Sequence, residues 1–257
     1  MNHPASPALY ILTGASRGMG AAMARQLLAS GHTLLTLARY PDAGLSAQAQ
    51  AAGAELTQWP VDLADAGDAS ERLRQWLAGF GAARFAQATL INNAGAIPPI
   101  APLRDTQGSD TASALRVGLE APMLLTAAFL DATRHWAGQR RVLNISSGLG
   151  RRPMASQAAY CAAKAGMDLF TRCAALDEAG QPNGARLCSL APGVIDTDMQ
   201  VQLRGANADD FPDRANFEQL KSGGQLASPE AAAQRVLAYL ARADFGQNPV
   251  ADVRDPA

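Results

Sequence analysis

Residues 13–20, Thr13-Gly14-Ala15-Ser16-Arg17-Gly18-Met19-Gly20, decide how this chain is read. They join an apolar run, 8–13, that reads as a buried strand to a segment, 18–30, whose Met23, Leu27 and Leu28 share one side of a helix. In such a turn glycines let the backbone approach a pyrophosphate, and the helix N-terminus favours its charge. A glycine triplet alone is a weak signal, because many strand-to-helix turns need glycine. At the head of a βαβ unit it points to dinucleotide binding, with Gly14, Ser16, Arg17, Gly18, Met19 and Gly20 as the contacts.

Outward from this turn, strands are expected at 33–38, 55–59, 88–91, 141–146 and 185–190. Helices are expected at 65–79, 109–136 and 157–178, and a last one opens at Ser228-Pro229-Glu230 with a capping serine and a first-turn proline. An Ala/Gln stretch up to Gly53 is only weakly patterned. The alternation predicts one α/β domain over 1–257, a doubly wound Rossmann-type fold with a parallel sheet of about seven strands. The stretch 199–224 is polar and too long for an ordinary connection, so a mobile substrate-loop flap is expected there.

Composition narrows the classes. Hydrophobic residues are 48% and charged residues 18% of 257, enough apolar material for a sizeable core. A formal net charge of −1 gives no global attraction to nucleic acid or an anionic membrane, so neither partner is expected. Cys161, Cys173 and Cys188 show no paired spacing, which predicts no metal site, no disulfide framework and a reducing compartment. Met1 to Pro7 lacks a signal-peptide pattern, and the apolar segment 122–130 is short for a bilayer, so the expected location is cytoplasmic.

The second strand ends in Arg39, where an NAD site usually carries an acid for the ribose 2′-hydroxyl. Arg39 and Arg17 instead suit a 2′-phosphate, which predicts NADPH/NADP+ as cofactor. Tyr160 and Lys164 lie four apart in a helical segment and share a face. A phenol with a pKa near 10 needs about 4 kcal/mol of differential stabilisation to titrate about three units lower, and a desolvated ammonium supplies much of it.

With Asp62-Leu63 after the third strand, Asn92-Asn93-Ala94-Gly95 after the fourth and Ser146-Ser147 after the fifth, the chain resembles the short-chain dehydrogenase/reductase family. The resemblance implies that Asp62 and Leu63 contact the adenine and that Asn93, Ala94 and Gly95 adjoin the dinucleotide. Ser147, thirteen residues before Tyr160, would hold the substrate carbonyl, while Ser146 keeps a backbone-facing role. Lys164 would bind the nicotinamide ribose and lower the Tyr160 pKa. The segment Pro192-Gly193-Val194-Ile195-Asp196-Thr197 would bind the carboxamide through its backbone, Ile195 included, and through Thr197. The implied reaction is reduction of a ketone by NADPH with Tyr160 as proton donor, in a homodimer or homotetramer built through the two long helices.

One departure stands at Gly118, where the family usually carries an asparagine supporting a helix bulge and a water linked to the lysine. Glycine can keep the backbone irregularity. The segments 159–166 and 191–200 resemble sepiapterin reductases and their bacterial benzil-reducing relatives. Phe245 and Val250-Ala251-Asp252 also resemble the sepiapterin reductase ending, which places Asp252 at the guanidine-like edge of a pterin, and the resemblance implies a small carbonyl substrate, ketone or vicinal diketone. A 3-oxoacyl or sugar-alcohol reductase, and an NADPH-binding regulatory protein that has lost turnover, remain as alternatives. Arg151-Arg152 either attract an anion or are a solvated loop, and Met154, Phe211 and Phe217 are candidate apolar walls.

Overall fold

The computed structural model describes residues 6–256. Seven parallel strands, β1 (Ala8–Thr13), β2 (Thr33–Ala38), β3 (Glu55–Pro60), β4 (Gln87–Asn92), β5 (Gln139–Ile145), β6 (Arg186–Ala191) and β7 (Val250–Asp252), form one sheet. Their order, β3-β2-β1-β4-β5-β6-β7, reverses direction between β1 and β4, which opens a crevice at the strand carboxyl ends. Strand side chains alternate between faces. Leu9, Ile11, Leu35, Leu90 and Val142 therefore feed one core, and Leu12, Leu34, Ile91 and Leu143 the other.

Helices α1 (Gly18–Leu27) and α9 (Pro229–Ala241) cover the second core, with α2 (Ala43–Ala52) adding Leu45 beside them. On the first face lie α3 (Gly67–Ala78) and α5 (Ala121–Thr133), contributing Leu73, Leu77, Leu125 and Phe129, while α6 (Ala158–Ala179) lends Ala174 and Ala175 at its edge. The weakly patterned Ala/Gln stretch is α2, capped by Asp42, whose side chain accepts from the N–H groups of Gly44 and Leu45. Only Leu45 and Ala49 of that helix are buried, too narrow a stripe to show in the pattern.

The expected helix 109–136 is interrupted. It divides into α4 (Gly108–Leu115), a π-helical stretch Arg116–Glu120, and α5. The irregularity expected at Gly118 is thus present. The run Gly108–Thr133 also reaches the length and hydropathy of a membrane crossing, further than the segment 122–130 suggested. Its Ala121, Leu125, Ala128 and Phe129 are fully buried in the core.

The flap is not a loop. Residues 199–224 hold most of α7 (Asp198–Arg204) and all of α8 (Arg214–Ser222), packed around Leu203, Phe211 and Phe217 with Met154. Phe211 stacks on Phe217 at 5.7 Å between ring centroids, and the Ser156 hydroxyl donates to the Asp210 carbonyl. Short helices separated by polar turns hide these apolar contacts from a periodicity reading.

Candidate active site

The glycine turn sits at the crevice. Gly14 and Gly18 adopt φ +71° and +55°, the left-handed region glycine favours. A Cβ on Gly20 would stand 2.0 Å from the Gly14 carbonyl oxygen, and one on Gly14 would be 2.8 Å from Ala94 Cα. The turn is therefore pressed against the segment after β4. Thr13 Oγ1 accepts from the N–H groups of Asn93 and Ala94, each at 2.9 Å. Asn93 Nδ2 donates back to the carbonyls of Thr13 and Gly14 at 3.0 and 3.1 Å, so its amide clamps the turn.

One cleft of about 870 Å³ gathers every residue expected to bind cofactor or substrate. The turn and the exposed Arg39 and Asp62 line one end; Pro192, Gly193, Ile195 and Thr197 line the side towards the flap. Arg17 is salt-bridged to Asp198 at 2.6 Å, a partner its own surroundings in the sequence do not reveal. The glycine cradle, the open N-terminus of α1 and the length of the cleft fit a dinucleotide.

Ser147, Tyr160 and Lys164 meet in the same cleft. Tyr160 and Lys164 are 8% and 4% exposed, and Ser147 is half-buried beyond the end of β5. Lys164 Nζ donates to the Ile145 carbonyl at 2.7 Å and lies 5.8 Å from the Tyr160 ring centroid. Burial pulls the Lys164 ammonium down to about 8, against the opposing field of Asp168. Burial pushes the Tyr160 phenol up, and a hydrogen bond from Ser147 pulls it back. Desolvation thus outweighs the Ser147 hydrogen bond and favours the neutral phenol. Ser146 differs from expectation: its hydroxyl donates to Asp168 Oδ1 at 2.6 Å.

The chain matches the short chain dehydrogenase family over residues 8–208. It belongs to that family. Benzil reductase ((S)-benzoin forming) of Bacillus cereus is 33% identical over 240 residues, 93% of this chain and 96% of that one. Sepiapterin reductase of Meriones unguiculatus is 33% identical over 263 residues, 96% of this chain and 97% of that one. The solved structure of a metagenomic short-chain oxidoreductase in complex with NADP aligns with a TM-score of 0.67 at 27% identity, covering 95% of this chain and 94% of that one. This short-chain dehydrogenase is an oxidoreductase of a family that uses NAD or NADP.

Around Ser147, Tyr160 and Lys164 lie groups that local sequence could not pair. Asp252 lines the cleft, but its carboxylate is already bridged by Arg254, Nε to Oδ1 at 2.7 Å and Nη2 to Oδ2 at 2.6 Å. That guanidinium holds the carboxylate below its usual range. The basic pair divides: Arg152 lines the cleft, whereas Arg151 donates to Asp168 and to the Ala251 carbonyl. Met154, Leu149, Leu203 and Phe217 form apolar wall, while Phe211 is buried behind them. Gln157, 1% exposed, also lines the cleft; its Nε2 donates to the Ser156 carbonyl at 2.8 Å, and its Oε1 has no partner among the described residues.

Proposed function

We propose that this short-chain dehydrogenase is an NADPH-dependent carbonyl reductase that converts a ketone or vicinal diketone to the alcohol, with Tyr160 as proton donor. The observation that carries the reading is the convergence of Ser147, Tyr160 and Lys164 in a cleft whose other end is the glycine turn. Bound there, the dinucleotide supplies the hydride for the carbonyl carbon. Ser147 donates a hydrogen bond to the carbonyl oxygen as negative charge develops. Tyr160 gives that oxygen its phenolic proton, and the Lys164 ammonium one turn along α6 stabilises the phenolate left behind. The π-helical stretch retained at Gly118 favours a working site over a regulatory protein without turnover.

Arg17 and Arg39, with no acid at the end of β2, support NADPH over NADH, Arg17 exchanging Asp198 for a phosphate. The relatives named for benzil, a vicinal diketone, and for sepiapterin, a ketone beside a hydroxyl-bearing carbon, support a small ketone as the substrate. The apolar wall and the Asp252–Arg254 pair favour an aryl diketone such as benzil, because a pterin edge must displace Arg254 to reach both carboxylate oxygens. Met123, Leu169 and Leu176 are 46%, 62% and 77% exposed on α5 and α6, which supports a homodimer or homotetramer through these helices.

Tyr160→Phe is expected to lower kcat/KM for benzil about a hundredfold to ten-thousandfold without loss of NADPH binding. Unchanged turnover removes the proton-donor role. Arg39→Asp is expected to weaken NADPH binding about tenfold or more while sparing NADH, read by parallel titrations; equal losses for both refute the 2′-phosphate contact. Arg254→Ala is expected to raise the ratio of sepiapterin to benzil efficiency, and a fall in that ratio contradicts the displacement argument. Sedimentation at micromolar concentration is expected to show dimers or tetramers, and monomer alone counts against the helix face.

A further inference from the structure

We propose that Asp168 is a positioning residue for the Tyr160–Lys164 pair, acting as the standing countercharge of Lys164 and tying the Ser147-bearing end of β5 to α6. The inference rests on the carbonyl-reductase reading. Asp168 follows Lys164 by one turn of α6, on the same face, and is 7% exposed. Its Oδ1 accepts from the hydroxyls of Ser146 and Ser189, both at 2.6 Å, and its Oδ2 accepts from Arg151 Nε at 3.2 Å. Three donors thus reach one carboxylate from the end of β5, from β6 and from the turn after Ser147. Gly150 in that turn leaves no space: a Cβ there would meet the Lys164 carbonyl oxygen at 2.9 Å and Asp168 Oδ2 at 3.1 Å.

The charges around this carboxylate are few. Lys164 and Tyr160 come from α6 itself, and Arg151 from the turn after β5. Cys188, from β6, has its thiol pushed up to about 12 by burial and stays neutral. Asp252 and Arg254, from the C-terminal strand and beyond, form their own pair, and Arg151 reaches that strand through the Ala251 carbonyl. Two cations therefore compete for Asp168. Neutralising the carboxylate removes the field that keeps the desolvated ammonium protonated. Removing Arg151 leaves that field to Lys164 alone.

Lysine occurs only at Lys164 and Lys221, so protein labelled with 13C at lysine Cε gives two signals, and Lys221→Arg assigns them. The Lys164 midpoint is expected near the value of about 8 that burial sets. It is expected to fall by about one unit or more in Asp168→Asn and to rise in Arg151→Gln, and the alkaline limb of kcat/KM for benzil reduction should follow both shifts. A midpoint unmoved in both variants overturns the proposal, as does a kinetic limb that ignores a moved midpoint. If Asp168→Asn fails to fold, Arg151→Gln decides: an unmoved or lowered midpoint overturns it. Shifted midpoints in a protein that reduces no diketone would leave the link to Lys164 standing and sink the reductase reading instead.

Discussion

The hydrogen bond from Lys164 Nζ to the Ile145 carbonyl joins the second turn of α6 to the last residue of β5. Ser147 lies two residues past that carbonyl, and Tyr160 one turn before the lysine, so a single buried contact sets the distance between the two hydroxyl-bearing groups. An ammonium 4% exposed is costly to desolvate, by several kcal/mol. A charge-assisted hydrogen bond and a nearby carboxylate offset that cost only while α6 keeps its register on the sheet. Below this contact a buried polar chain maintains the register. Asn92 Nδ2 donates to Asn144 Oδ1 at 2.7 Å, Asn144 Nδ2 to Thr171 Oγ1 at 2.8 Å, and Thr171 Oγ1 to the Met167 carbonyl at 2.7 Å.

The glycine turn and the first two strands could be read from sequence because their signals are local. An apolar run broken by Gly14 and spaced glycines before a helical stripe need no knowledge of distant partners. The spacing of Tyr160 and Lys164 is likewise contained in one helical turn. What sequence did not expose depends on groups far apart in the chain. Asp168 with Ser189, Arg17 with Asp198 and Arg151 with Ala251 are joined only once the sheet order is known. The two-residue spacing of Asp252 and Arg254 was visible, yet nothing local says that the guanidinium folds back onto the carboxylate. The π-helical stretch was signalled only by Gly118, and α7 and α8 only by apolar residues too sparse to give a period.

Two tightly interlocked halves meet at the cleft. On one side, the Thr13–Asn93 clamp couples the glycine turn to the segment after β4. On the other, beside Lys164, Ser146, Ser189 and Arg151 converge on one carboxylate from three separate segments. Rigid placement of this kind suits a reaction whose geometry must be set before charge develops.

The small cluster of Leu203, Phe211 and Phe217 with Met154 shares no buried residue with either core of the sheet. Side chains there can be exchanged without disturbing the packing that supports the strands. On the carbonyl-reductase reading, the shape of what enters the cleft can therefore change independently of the parts proposed to hold the nucleotide.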